Sequence, residues 1–272
     1  MTREDLDLLA EIARERAGLN LTGAASSFAE SRLAVVARRE GAPSIAALVE
    51  RLRVGREPAL IAQVVEALAD DDTAFFRDRQ TFERLRTEVI PALAERRPGG
   101  PVRIWSAGCS TGQEAYSLAM LAYEMGSLPG GAAVRIVASD INERALQKAK
   151  SGLYSHFEVQ RGLPIRTLLA HFEKADDHWR ISPALRQSVR WGRVNLMDDL
   201  SRFGPFDVIL CRNVLSTLHP RAAQQVLGGL EGALAPDGWL ITGAAEAVTA
   251  PAAFTGQGGL LLRNPAYERD AA

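Results

Sequence analysis

Cysteine is scarce in this sequence: Cys109 and Cys211 are the two thiols among 272 residues. So few thiols exclude a disulfide framework and a cysteine-based zinc site, and the sequence predicts a reduced, cytoplasmic chain with no metal centre. A dominant charge is missing too. The 32 basic residues are matched by 33 acidic ones, which excludes a globally basic nucleic-acid binder and leaves room only for a local patch. No apolar run approaches the roughly 18 residues that span a bilayer. The N-terminal MTREDLDLLA carries charge from residue 3 and has no signal-peptide core. What is present, 47% hydrophobic and 24% charged residues, is the composition of a globular protein with a sizeable core. The length suits one large α/β domain and a smaller one.

The pattern of the chain changes near residue 100. Before it, apolar residues recur at helical spacing: Leu6, Leu9, Ile12 and Ala13, then Leu33, Val36 and Ala37, then Ile45, Leu48, Val49 and Leu52. Gly18, Gly41-Ala42-Pro43 and Gly55 interrupt these runs, and Ser44 suits the N-cap of the third. Two more helices are predicted, over about 59–68 and 78–95, and RRPGGP (96–101) reads as a linker. Beyond it, VRIWSA, VRIVASD, FDVILC and WLITG alternate with helical stretches, the signature of a parallel sheet covered on both faces. Residues 152–190 fit this alternation poorly and read as an insertion, with HWRIS and SVRWGRV as candidate short strands within it.

In such a sheet, ligands bind beyond the carboxyl ends of the strands. The first strand is followed by AGCSTGQE, Ala107 to Glu114. Its small residues suit either a backbone that approaches a ligand or a plain tight turn. Neither GxGxxG spacing nor a following GK[ST] is present, which excludes a P-loop and weakens a dinucleotide fingerprint. Asp140 ends the second strand, as a ribose-hydroxyl acceptor or as a helix N-cap. Asn195-Leu196 follows VRWGRV, where an amide can meet an adenine edge and a Leu can lie on its ring. Arg212-Asn213 follows FDVILC. Asp207 and Asp237 are read as turn residues. Upstream of the sheet, residues 70–77 (DDDTAFFR) gather a hydroxyl, Thr73, two phenylalanines and Arg77 in one short stretch.

Together DDTAFFR, RIWSAGCSTGQEAYSLAM, ASDI, KSGLY, VNL, GPFDVILCRNV and LAPDGWLITG, in this order, resemble the chemotaxis receptor methyltransferases of the CheR type. The resemblance runs from the N-terminus to about Glu246. It implies an α/β fold: a Rossmann-like class I methyltransferase domain with a small inserted β-subdomain, preceded by an all-α N-terminal domain. The boundaries expected are 1–97 for the helical domain with its linker helix and 98–272 for the methyltransferase domain. It implies S-adenosyl-L-methionine as cofactor, held by Asp71, Thr73, Arg77, Ala107, Gly108, Glu114, Asp140, Asn195, Leu196, Arg212 and Asn213. The reaction implied is methyl transfer to glutamate side chains on the cytoplasmic helical domain of methyl-accepting receptors, with Arg77 and Thr217 as the catalytic candidates.

Four positions depart from the family pattern. Asp71 replaces an Asn, Gln113-Glu114 replaces a Glu pair, Thr217 replaces a Tyr, and Gly243-Ala244-Ala245-Glu246 replaces G-H-S-E. They keep one alternative open, a degenerate relative that is an S-adenosylmethionine-binding or non-catalytic signalling module; a small-molecule methyltransferase is a further alternative. Between Ser31 and Arg56, six arginines face two glutamates. Arg32, Arg38, Arg39, Arg51 and Arg53 are therefore candidates, with Arg56, for docking an acidic receptor bundle; the plainer alternative is a solvated helix face. Nothing in the sequence signals an oligomeric state.

Overall fold

The computed structural model describes residues 1–21, 24–55, 57–69, 71–243, 246, 254–257 and 260–263. Arg56, Asp70, Ala244 and Ala245 lie outside the described residues. Four helices come first: α1 (Arg3–Ala17), α2 (Ala24–Arg39), α3 (Ile45–Gly55) and α4 (Pro58–Leu68). Local chemistry sets their ends. Thr2 and Asp5 form a reciprocal capping box at α1, Gly18 closes it at φ 68°, and the Ser44 hydroxyl accepts the Ala47 N–H at 3.1 Å to open α3. The expected apolar stripes meet inward, burying Leu9, Ala13, Leu33, Leu48, Leu52 and Val64.

The next helical stretch is not uniform. It comprises α5 (Arg79–Arg84), a π-helical turn (Leu85–Val89) and α6 (Ile90–Glu95). Pro91 has no N–H to give the i−4 carbonyl and its ring crowds that turn, so the ladder widens just before it.

The α/β region then runs β1 (Pro101–Ala107), α7 (Gln113–Met125), β2 (Ala133–Asp140), α8 (Glu143–Ser151), β3 (Leu153–Ser155), α9 (His156–Gln160), α10 (Ile165–His171), β4 (Phe172–Ala175), β5 (His178–Ile181), α11 (Pro183–Ser188), β6 (Val189–Arg193), β7 (Phe206–Cys211), α12 (Pro220–Gly232), β8 (Leu234–Thr242), β9 (Phe254–Gln257) and β10 (Leu260–Arg263). The main sheet has the order β6-β2-β1-β7-β8-β10-β9. It is parallel from β6 to β8, with β10 antiparallel to both neighbours. Every residue of β7 is buried, as a central strand covered on both faces requires.

A separate antiparallel sheet, β3-β5-β4, is the inserted subdomain. HWRI is its middle strand, but SVRWGRV does not belong to it. That run supplies β6, which pairs in parallel with β2 from Ile136↔Val189 to Asp140↔Arg193. Short alternating runs look alike in both settings, and the partner strand decides.

Two cores bracket the main sheet. On one face the N-terminal helices share a single apolar cluster with Trp105, Ile209, Leu218 and Val226. On the other, Phe75 makes edge contacts with Tyr154 at 5.1 Å and Phe172 at 5.6 Å, tying the 71–78 segment to the inserted subdomain. Gly162 seats that segment: at φ 90°, an added Cβ would lie 1.9 Å from the Phe75 carbonyl oxygen. Gly162→Ala is therefore expected to lower the melting temperature by about 5–10 °C, since backbone meets backbone and neither side can rotate away. A calorimetric scan that shows no loss would mean the two segments separate at no cost.

Candidate functional site

Strand order reverses between β1 and β7, and a crevice opens at such a switch point beyond the strand ends. The turn after β1 is built around β2. The Ser139 carbonyl accepts the N–H groups of Gly108 (2.8 Å) and Cys109 (2.9 Å). Asp140 accepts the N–H of Ser110 at 2.7 Å and that of Asn142 at 2.9 Å. Glycine is needed at two points of this turn. A Cβ on Gly108 (φ 77°) would lie 2.5 Å from Val214 Cγ2, and one on Gly112 (φ 93°) 2.7 Å from Ala149 Cβ. Asn142, not Asp140, caps α8, with its Oδ1 accepting two N–H groups. The Asp140 carboxylate is left half-buried at the edge of the crevice. Its burial raises its pKa above 3.8, against the lowering effect of the Asn142, Ser110 and Ile141 N–H groups.

The first cleft opens beyond these strand ends, with a free volume of about 80 Å³. Its walls are mostly apolar, including Leu19, Ile141, Val194, Leu196, Val214 and Leu218, with Asp140 as their carboxylate. The N-terminal helices contribute to it directly. Ala17 and Leu19 line it, Leu19 bridges Leu218, and the Asn20 N–H and Gly18 carbonyl bond Thr217 and His219, each at 2.8 Å. Nothing in the periodicity of α1 announces this role. A second cleft of about 650 Å³ shares Leu19 and Thr217 with the first and is bordered by Phe28, Arg32, Asp71, Asp72, Thr73 and Arg161.

The remaining expected site residues divide into those on the clefts and those beneath them. Gly108, Asn195, Leu196 and Asn213 line the first cleft, Asp71 and Thr73 the second, and Thr217 both. The Asn195 amide donates to the Arg16 carbonyl at 2.7 Å and accepts the Met197 N–H at 3.1 Å, so one N–H and one lone pair remain. The Thr217 hydroxyl donates to the Val214 carbonyl at 2.7 Å. Asp71 pairs with Arg32 at 3.2 Å, and the Arg77 guanidinium donates to the Asp72 carbonyl oxygen at 3.1 Å. Ala107 is buried at the end of β1.

Glu114 and Arg212 line neither cleft. Arg212, 3% exposed, pairs with Glu114 at 3.2 Å and Asp78 at 3.6 Å and donates to the Arg77 carbonyl at 2.7 Å. Strain gathers around the crevice as well. Four of the five non-glycine residues at positive φ among those described are Phe76, Asp78, Ser110 and Asn213, all in loops that build it.

One residue of the site has no role assigned to it from sequence: Glu246, whose carboxylate bonds three backbone N–H groups of the crevice loops. The Glu kept in Gly243-Ala244-Ala245-Glu246 was the available signal.

The fold disperses the arginines that stand close together in sequence. Arg51 pairs with Glu57 at 3.3 Å, and Arg53 with Asp5 at 3.2 Å and with Glu50. Arg32 donates to the Ala69 carbonyl at 2.7 Å at the end of α4. Arg38, exposed, donates along its own helix to the Ala34 carbonyl, and Arg39, also exposed, contacts Gln63. Arg39 also lies 3.9 Å from Glu40, so among the described residues Arg38 is the one of the five arginines with no carboxylate partner.

An apolar slot with one carboxylate at its edge and a close-packed glycine turn at its end matches adenosine, whose base has flat apolar faces and a polar edge and whose ribose offers two hydroxyl donors. The protein is an S-adenosylmethionine-dependent methyltransferase. Residues 4–69 match the all-alpha domain of CheR methyltransferases and residues 71–257 their SAM binding domain, and the chain belongs to the CheR methyltransferase family. It is 35% identical to chemotaxis protein methyltransferase 1 of Pseudomonas aeruginosa over 250 residues, 90% of each chain. It is 36% identical to chemotaxis protein methyltransferase Cher2 of Pseudomonas putida (80% of this chain, 81% of the relative). A chemotaxis protein methyltransferase of Vibrio parahaemolyticus is 32% identical over 85% of both. Among the described residues no helix is long and apolar enough to cross a membrane.

Proposed function

We propose that the chain methylates glutamate side chains on the helical cytoplasmic part of chemotaxis-type receptors. The observation that carries this reading is the meeting of the two clefts at Leu19 and Thr217. The first is walled mostly by apolar side chains with one carboxylate and suits a nucleoside, while the second is larger and bordered by charged side chains of both signs, Arg32 and Arg161 among them. Bound S-adenosylmethionine supplies a methyl group activated by a sulfonium. Asp140 would accept from the ribose, Asn195 and Leu196 would hold the adenine, and Gly108 and Ala107 would let the backbone come close. Asp71 and Thr73 on the second cleft and Asn213 and Thr217 on the first would hold the methionine end, with Arg77, Glu114 and Arg212, which line neither cleft, supporting them.

No general base is needed. A glutamate side chain is ionised near neutrality and is already the nucleophile. The work of the site is to hold a carboxylate in line with the methyl group, and Arg77 is suited to orient it by exchanging Asp72 for the incoming carboxylate. The substitutions at Asp71 and Thr217 remove no proton acceptor that this reaction requires.

Calorimetric titration with S-adenosylhomocysteine, followed by transfer of labelled methyl groups to receptor fragments, tests the proposal. Saturable binding and alkali-labile label on the fragments are expected. Binding with no transfer to any of a panel of receptors would favour the non-catalytic module instead. Charge reversal of Arg38 and Arg39 to Glu is expected to lower kcat/KM for receptor about tenfold at low salt, with the loss shrinking as salt screens the docking, and to leave S-adenosylhomocysteine affinity unchanged. Equal transfer at all ionic strengths would remove α2 from the docking surface.

A further inference from the structure

The loop after β7 carries Asn213, Val214, Thr217 and Leu218 into the first cleft. Its shape is held from two sides. On the outer side, the N-terminal segment bonds it through Asn20 and Gly18. On the inner side stands one carboxylate. Glu246 Oε2 accepts the N–H of Asn213 at 2.9 Å and of Gly243 at 2.6 Å, and Oε1 accepts the N–H of Ser216 at 3.0 Å.

We infer that Glu246 is a positioning residue for cofactor binding, fixing the post-β7 loop against the end of β8. Its side chain lines neither cleft, so it acts through the loop. Three features support this. The donors come from two loops, so the carboxylate joins the segment after β7 to the end of β8. Gly243 makes room for it, because a Cβ there would lie 2.9 Å from Oε2 and 3.1 Å from Asn213 Nδ2. The first residue it grips, Asn213, stands at φ 61°, a left-handed turn that asparagine adopts and that aims its N–H at the carboxylate. Asn213 leads directly to Val214, which packs on Gly108, so a shift at Asn213 moves the wall that faces the glycine turn. Glutamate is the suitable residue because a carboxylate is acceptor-only, with lone pairs enough for all three donors. An amide would turn N–H against N–H at one of them.

The inference rests on the first cleft being the cofactor site, and the test separates the two. S-adenosylhomocysteine is titrated calorimetrically into the wild type, Glu246→Gln and Glu246→Ala, with the melting temperature and amide hydrogen exchange measured on the same ligand-free proteins. Expected are dissociation constants raised about tenfold or more in Glu246→Ala and by less in Glu246→Gln. Faster exchange is expected at Asn213, Ser216 and Gly243 while β1 and β7 stay protected. An unchanged dissociation constant in Glu246→Ala, beside normal wild-type binding, overturns the role of Glu246 alone. Accelerated exchange throughout the main sheet overturns it too, since Glu246 would then support the fold and not the loop. A wild type that does not bind overturns the cleft assignment and this inference with it.

Discussion

Arg212→Ala is expected to destabilise the ligand-free protein by about 3–5 kcal/mol, the range for removing one partner of a buried ion pair. Arg212 is 3% exposed and Glu114 13%, and the guanidinium is the cation that both Glu114 and Asp78 share. Without it, Glu114 retains only the Ser106 hydroxyl, at 2.7 Å, inside the fold. The Arg77 carbonyl loses its donor in a segment that already carries Phe76 and Asp78 at positive φ. The edge of the Phe82 ring site is vacated as well, since the guanidinium carbon lies 5.8 Å from its centroid. The measurement is urea unfolding of the two proteins without cofactor. A residue that served only as a cofactor ligand would leave that midpoint unchanged and weaken S-adenosylhomocysteine binding alone. Such a result would move Arg212 from beneath the clefts to their surface. Arg212→Lys is the informative companion. It keeps the charge but cannot reach Glu114, Asp78 and the Arg77 carbonyl together, so it is expected to recover part of the loss and no more.

Much of this was legible in the sequence because it is local. The apolar stripes of the first 68 residues mark their buried faces, Ser44 caps α3, and Asp140 and Asn195, at the ends of strand-like runs, line the first cleft. What was not legible depends on partners remote in the chain. SVRWGRV reads equally well as a hairpin strand or a parallel edge strand until β2 claims it. The Asn195 amide is engaged by the Arg16 carbonyl, 179 positions earlier, and no pattern near Asn195 announces that. The run of arginines illustrates the same limit. Their linear density suggested one cationic face, but Arg51 and Arg53 turn to carboxylates from Glu57 and Asp5, while Arg32 closes the end of α4. Charge counted along a chain becomes a surface field only after the fold has spent part of it on its own carboxylates.

Asp140→Asn is expected to weaken S-adenosylhomocysteine binding by about a hundredfold, since two hydrogen bonds to a charged acceptor are worth about 3 kcal/mol together. The pH dependence gives the sharper test. Burial raises the Asp140 pKa above 3.8, opposed by the N–H groups of Asn142, Ser110 and Ile141 and assisted by the nearby charge of Asp71. The ionised carboxylate is the form that accepts both ribose hydroxyls. Affinity is therefore expected to fall as pH drops through the raised pKa, with the fall beginning above 3.8. Stability moves the opposite way. A carboxyl whose pKa is raised by folding contributes stability that is complete below its unfolded value and lost as pH rises through the folded one. At neutral pH the ligand-free protein thus carries a charge that works against its fold, and hydroxyl donors from the cofactor relieve it on binding. In Asp140→Asn both dependences should flatten together. If wild-type affinity instead stays constant down to the acid unfolding of the protein, the carboxylate is not the group that holds the ribose, and the N–H groups of Ser110 and Asn142 are the whole reason for its burial.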